Sequence, residues 1–161
     1  PGSRLNASPE QRSAALEPRD EAPHINLATA YIDLGRLDEA RAELEEYLRL
    51  SPQSVFDQKM MLGVLARHQG LREADKLFQT ALRGWDRAWR EPGTTRSGKL
   101  QKKAIALLCA GRREEAMATM REAVAVMLPG DDPETALYEL LRTAPNPPEG
   151  LEEMVAIRLR E

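Results

Sequence analysis

Apolar and small residues recur along this chain at helical spacing, in paired runs that meet at a glycine. Leu27, Tyr31 and Leu34 share one helical face, and Gly35 ends that run. Leu37, Ala40, Leu44, Tyr47 and Leu48 form a second face, which Pro52 stops. The same order returns with Leu62, Leu65 and Ala66 before Gly70, then Ala74, Phe78, Ala81 and Leu82. It returns once more with Ala104, Leu107 and Leu108 before Gly111, then Ala116, Met120, Ala123 and Met127. Each unit therefore predicts helix, glycine turn, helix. The glycine is expected in the left-handed conformation that only glycine adopts cheaply.

Two irregularities modulate this pattern. Gly70 lies four residues before Ala74, whereas Gly35 lies five before Ala40, so the second turn is predicted to be one residue shorter. The stripe after Ala81 continues through Trp85 and Trp89, which predicts one long helix from about Leu71 to Glu91. From Ala40 to Ala74 is 34 residues; from Ala74 to Ala116 is 42. The excess is assigned to the long helix and the loop Pro92-Gly93-Thr94-Thr95-Arg96-Ser97. Beyond Leu128-Pro129-Gly130 the pattern changes. Asp132-Pro133-Glu134 predicts a helix start, with the helix running to about Thr143. Pro145, Pro147 and Pro148 force a break, and Leu151, Met154, Val155 and Leu159 predict a last helix.

A 34-residue helix-pair period with small alanines at matched positions resembles the tetratricopeptide repeat (TPR) proteins. The resemblance implies an all-α fold, a helix-turn-helix solenoid forming a right-handed superhelix. About three repeats and a C-terminal helical cap are expected. The boundaries read as an N-terminal segment 1–23, repeats over 24–52, 54–91 and 98–129, an inserted loop 92–97, and capping helices over 131–161. The cap follows from physics, because the last repeat of a stack exposes an apolar flank that something must cover. A helix supplied by a second copy, giving a homodimer through the C-terminal helices, is the competitor. Within 1–23, Pro1-Gly2-Ser3 reads as a vector scar. Leu5 to Pro9 echoes Leu48 to Pro52 and reads either as the tail of an earlier repeat or, with Ser8 as cap and Pro9 following, as a short helix start.

In the family, the first helices line a groove that receives a peptide. The resemblance implies that Ile25, Thr29, Met60, Met61, Val64, Arg67, His68, Gln101, Lys102, Ile105 and Cys109 line it here. That set is an apolar strip with a few basic groups, suited to a peptide with apolar anchors and some negative charge. Members that grip a terminal carboxylate use Lys, Asn and Arg at fixed groove positions. Ile25, Thr29 and Met61 stand where the Lys and two Asn belong, so a carboxylate clamp is not expected.

Composition narrows the chemistry. The net charge of −3 gives no global drive toward nucleic acid or anionic membrane. Locally, seven Lys or Arg lie between Arg83 and Lys103, and Trp85, Trp89, Arg90, Arg96 and Lys99 form a candidate secondary surface for phosphate or nucleic acid. The competing reading is a solvated flank whose tryptophans continue the core stripe. Gly93 to Leu100 nearly matches a phosphate loop, but Leu100 stands where a magnesium-binding hydroxyl belongs and no strand precedes it. It is expected to be a connector that caps the next helix.

Asp33, His68 and Cys109 each precede a turn glycine by two residues. Equivalent positions on stacked helices lie roughly 10 Å apart, too far for a catalytic relay. One cysteine and two histidines offer neither a disulfide nor metal-ligand spacing, so no metal and no cofactor are expected. No apolar run is long enough to span a membrane, and no signal-peptide pattern is visible, which favours the cytoplasm but leaves the location open, because the scar-like start hides the natural N-terminus. The expected function is a non-enzymatic scaffold that binds a protein or peptide. The alternatives are an accessory module of a larger enzyme or regulator and, through residues 83–103, a nucleic-acid binder.

Overall fold

A computed structural model describes residues 21–50, 56–85, 95–131 and 135–159. The described residues form eight α-helices and no strand. They are α1 (Glu21–Asp33), α2 (Leu37–Leu50), α3 (Phe56–His68), α4 (Glu73–Arg83), α5 (Arg96–Cys109), α6 (Arg113–Ala125), α7 (Thr135–Arg142) and α8 (Leu151–Arg158). The chain divides into two compact units, residues 1–54 and 55–161. The first contains the pair α1–α2. The second contains α3–α4 and α5–α6, with α4 packed on α5, followed by α7 and α8.

Three of the pairs share one turn. Gly35, Gly70 and Gly111 have φ of 74°, 73° and 82°. In each, the residue after glycine donates its N–H back five positions: Arg36 to Tyr31, Leu71 to Ala66 and Arg112 to Leu107, at 2.8, 2.8 and 2.9 Å. This bond and the neighbouring one from the glycine N–H satisfy carbonyls that the helix end leaves open. The second turn is shorter by one residue, as the spacing predicts. Ala40 and Ala116 reach back four positions, to Arg36 and Arg112, whereas Ala74 reaches back only three, to Leu71 at 3.3 Å. The missing residue is absorbed by a tighter entry into α4.

Small residues allow the helices of a pair to nest. Ala28, Ala40, Ala74, Ala81, Ala104, Ala116 and Ala123 are all buried. At Gly63 the approach is closer still, since a Cβ there would stand 2.8 Å from the Phe78 ring. Tyr47 is fully buried as well.

Several expectations change. Leu34 is 67% exposed, and the buried stripe of α1 runs through Leu27, Ala28, Tyr31 and Ile32 instead. The reason is geometric: α1 ends at Asp33, and Leu34 projects from the turn. The helix expected to reach Glu91 ends at Arg83, where Gly84 donates its N–H to Ala81 and Leu82. Residues 86–94, including Trp89 and Arg90, lie outside the described residues. Helix α5 begins at Arg96, inside the expected loop, because Thr95 Oγ1 accepts the Gly98 N–H at 3.0 Å. Leu159, expected on the buried face of the last helix, is 67% exposed, and Ile157 is buried instead. The segment 1–20 and the helix start at Asp132-Pro133-Glu134 also fall outside the described residues.

Candidate functional site

Within the second unit, the first helices differ in kind from the second helices. Helices α4 and α6 bury one face and expose the other. Helix α3 buries nine of its thirteen residues and α5 buries twelve of fourteen. A helix buried all round must be covered on more than its repeat partner's side. Part of that cover comes from the chain's own C-terminal hairpin: α7 packs on α3, and α8 packs on α6 and α7.

The contacts between cover and repeats are specific. His68, at the end of α3, places Nδ1 3.0 Å from the Leu140 carbonyl in the last turn of α7. A carbonyl only accepts, so Nδ1 carries the proton. The neighbouring Arg67 donates through Nε to the Asn146 carbonyl at 3.1 Å and through Nη1 to the Cys109 carbonyl at 3.4 Å. Both basic groups thus meet backbone oxygens at or just beyond the C-terminal end of α7, where carbonyls lack helical partners and the helix dipole is negative. On the other arm, Arg158 Nε donates to Gln101 Oε1 at 3.2 Å. Arg113 of α6 donates to Glu149 at 3.0 Å and to Glu153 at 2.7 Å. Arg142 ties the hairpin together by donating to Glu152 at 2.7 Å; it also pairs with Glu139. That contact holds the Glu152 carboxyl below its ordinary range.

The expected groove residues are therefore mostly enclosed. Met60, Met61, Val64, Gln101, Lys102, Ile105 and Cys109 are buried, while Arg67 and His68 are half-buried. Thr29, in the first unit, is half-buried, and the side chain of Ile25 lies outside the described residues. The groove expected to be open is closed at these positions in the second unit. Polar groups are enclosed with the apolar ones. Gln101 is 0% exposed and donates to Ser97 Oγ at 3.3 Å, and Lys102 is 7% exposed. Lys102 Nζ lies 3.8 Å from Asp57 Oδ1, which has no hydrogen bond, so that pair is a charge contact rather than a bonded one. Beside Arg67, a half-open cleft of about 310 Å³ is lined by Gly70, Arg72, Asp75, Pro145 and Asn146.

Of the secondary surface, Arg96 is exposed, Trp85 is half-buried against the Phe56 ring at 5.0 Å, and Lys99 is buried. A phosphate cradle needs a loop of free N–H groups, and here Gly98 and Lys99 lie inside α5. Lys103 Nζ sits 4.9 Å over the Trp85 ring. Cys109 is buried. Burial pushes its thiol up to about 12, against a weaker lowering by Arg67, so at neutral pH it is protonated and a poor nucleophile. Among the described residues, no three His, Cys, Asp or Glu side chains converge as a metal site. No described helix is long and apolar enough to cross a membrane.

Family comparison agrees with the repeated turn geometry. Models of the tetratricopeptide repeat match residues 11–65 and 103–122. The chain carries tetratricopeptide repeats in these stretches. The first TPR match begins at residue 11, upstream of α1, and ends within α3. The second covers the C-terminal half of α5, the turn at Gly111 and most of α6. Comparison with curated proteins and with solved structures returns no match. TPR repeats are in general protein-interaction modules. The repeat register placed the expected groove positions on the first helices. It missed their burial and the pairing of Arg67 and His68 with Leu140 and Asn146, because no repeat register encodes where a distant non-repeat segment docks.

Proposed function

We propose that this TPR chain is a non-enzymatic interaction module that holds a segment of another polypeptide against its first helices. In the second unit Arg67, His68, Gln101 and Lys102 are the polar part of that surface, and Met60, Met61, Val64 and Ile105 the apolar part. One observation carries the reading: Arg67 and His68 already bond backbone carbonyls of a polypeptide segment, Asn146 and Leu140. Backbone recognition of this kind accepts many sequences, and flanking apolar positions then add selectivity. The protonated, buried Cys109 supports a binding role over nucleophilic chemistry.

The test is affinity capture from the native source with the wild-type chain and with Arg67→Ala combined with His68→Ala. Both sites are at least partly accessible, so the helical circular dichroism signal is expected to persist. Loss of a specific captured protein supports the proposal. Capture that is unchanged in the double variant contradicts it.

A further inference from the structure

The binding face of the second unit is closed by residues 135–159 of the same chain. We infer that this hairpin is a displaceable occupant, and that the face beneath it is built to receive an acidic amphipathic helix from another protein. The inference rests on the proposed binding role and names the partner's chemistry.

Three observations carry it. First, the hairpin is built to let go. Helices α7 and α8 have eight residues each, about two turns, and helices this short do not persist in water by themselves. Their order therefore depends on docking, so they can lift and unfold while the repeats stay folded. Their ion pairs to Arg113 are exposed and add little to the docking. The seal is also incomplete, since the cleft at Gly70 opens beside Asn146.

Second, the enclosed face is more polar than a permanent core requires. Gln101 and Lys102 are enclosed, and Asp57 Oδ1 lacks a hydrogen bond. Burying such groups carries a desolvation cost that water would remove on opening. Third, charge and direction are complementary. The hairpin carries Glu139, Glu149, Glu152 and Glu153 against Arg142 and Arg158. Of these carboxylates Glu149 and Glu153 meet Arg113 of the repeats, while Arg67 and His68 take backbone carbonyls at Asn146 and Leu140. An incoming helix reproduces this fit if it is acidic, carries apolar residues at the spacing of Leu137, Tyr138 and Leu141, and ends against Arg67 and His68.

The test uses the full chain and a fluorescein-labelled synthetic peptide of residues 135–159. In the variant Leu141→Asp with Met154→Asp, the cover is lifted and the peptide binds at least tenfold more tightly than to wild type. Adding Arg67→Glu to that variant weakens peptide binding at least tenfold. Equal binding to wild type and variant, or none to a variant that keeps the helicity of its repeats, overturns the inference. Should that variant fail to fold, hydrogen exchange of the wild type decides. Amides of α7 and α8 exchanging at least tenfold faster than those of α4 and α6 support it, and exchange of all four as one unit overturns it. Wild-type chains that associate by trading residues 135–159, seen by light scattering of mixed labelled copies, make a second copy the occupant and overturn it too. Capture that needs Arg67 and His68 while the hairpin stays closed removes this inference and leaves the binding proposal intact.

Discussion

The first helix of the first repeat and the first helices of the next two have the same place in the repeat and different surroundings. Helix α1 buries Leu27, Ala28, Tyr31 and Ile32 but leaves Thr29 and Ala30 half-buried and Asp33 exposed. Helices α3 and α5 are buried nearly all round. Repeat register sets the face that meets the second helix of each pair. It does not set the opposite face, which in the second unit is met by a non-repeat hairpin whose contacts begin at Arg67 and His68.

The largest expected difference is at the hairpin. Leu141 is fully buried, and Leu141→Ala should destabilise the second unit by about 2–5 kcal/mol in urea unfolding. Leu34→Ala, at an exposed leucine of the first unit, should change stability by less than about 0.5 kcal/mol. Equal effects at the two leucines would break the comparison.

That contrast also marks what the sequence disclosed. The helix pairs, the left-handed turn glycines, the buried alanines and the shortened turn at Gly70 follow from local rules, since each is fixed by residues within one turn of one another. Leu34 escaped because helical periodicity continues a stripe past the point where the chain leaves the helix. The end of α4 escaped because Gly84 interrupts a stripe that is otherwise apolar through Trp85. The enclosure of Gln101, Lys102 and Cys109 escaped for a different reason. It depends on residues some fifty positions away, such as Arg158 on Gln101, and no local pattern carries that.

A second comparison concerns matched inner positions. Ala28, Gly63 and Ala104 occupy equivalent sites, and only at Gly63 would a Cβ strike the partner helix, at 2.8 Å from Phe78. Gly63→Ala should cost about 1–3 kcal/mol through overpacking. Ala28→Gly should cost about 1 kcal/mol through backbone freedom instead. Thermal unfolding of both variants sharpens the distinction between a pair closed by a ring and a pair closed by a methyl group.

The turn glycines should behave alike in both units. Gly35 and Gly111 have φ of 74° and 82° with no atom within 4 Å of a Cβ, so alanine there meets backbone strain alone. Each substitution should cost about 1–2 kcal/mol. A large difference between them would mean that the two turns do unequal jobs.

Cys109 supplies a pH signature confined to the second unit. Its thiol ordinarily ionises near 9.0 and is pushed up to about 12 by burial. The folded state therefore holds its proton more tightly than the unfolded state. That contribution is fully present below pH about 9.0 and is lost as pH rises toward 12. Cys109→Ala should flatten the stability profile across that window. The smallest expected effect is at Arg113, whose exposed pairs with Glu149 and Glu153 should be worth about 0–1 kcal/mol when removed as Arg113→Ala.

The single cysteine also gives the most direct test of the enclosed face. Arg67 bonds the Cys109 carbonyl and the hairpin carbonyl of Asn146 together, so the thiol should be guarded while the hairpin is docked. At pH 8, labelling of Cys109 by a chromogenic disulfide should be slow in the wild-type chain and at least tenfold faster in Leu141→Asp. Wild-type labelling at the rate of a free thiol, unchanged by Leu141→Asp, would contradict the account.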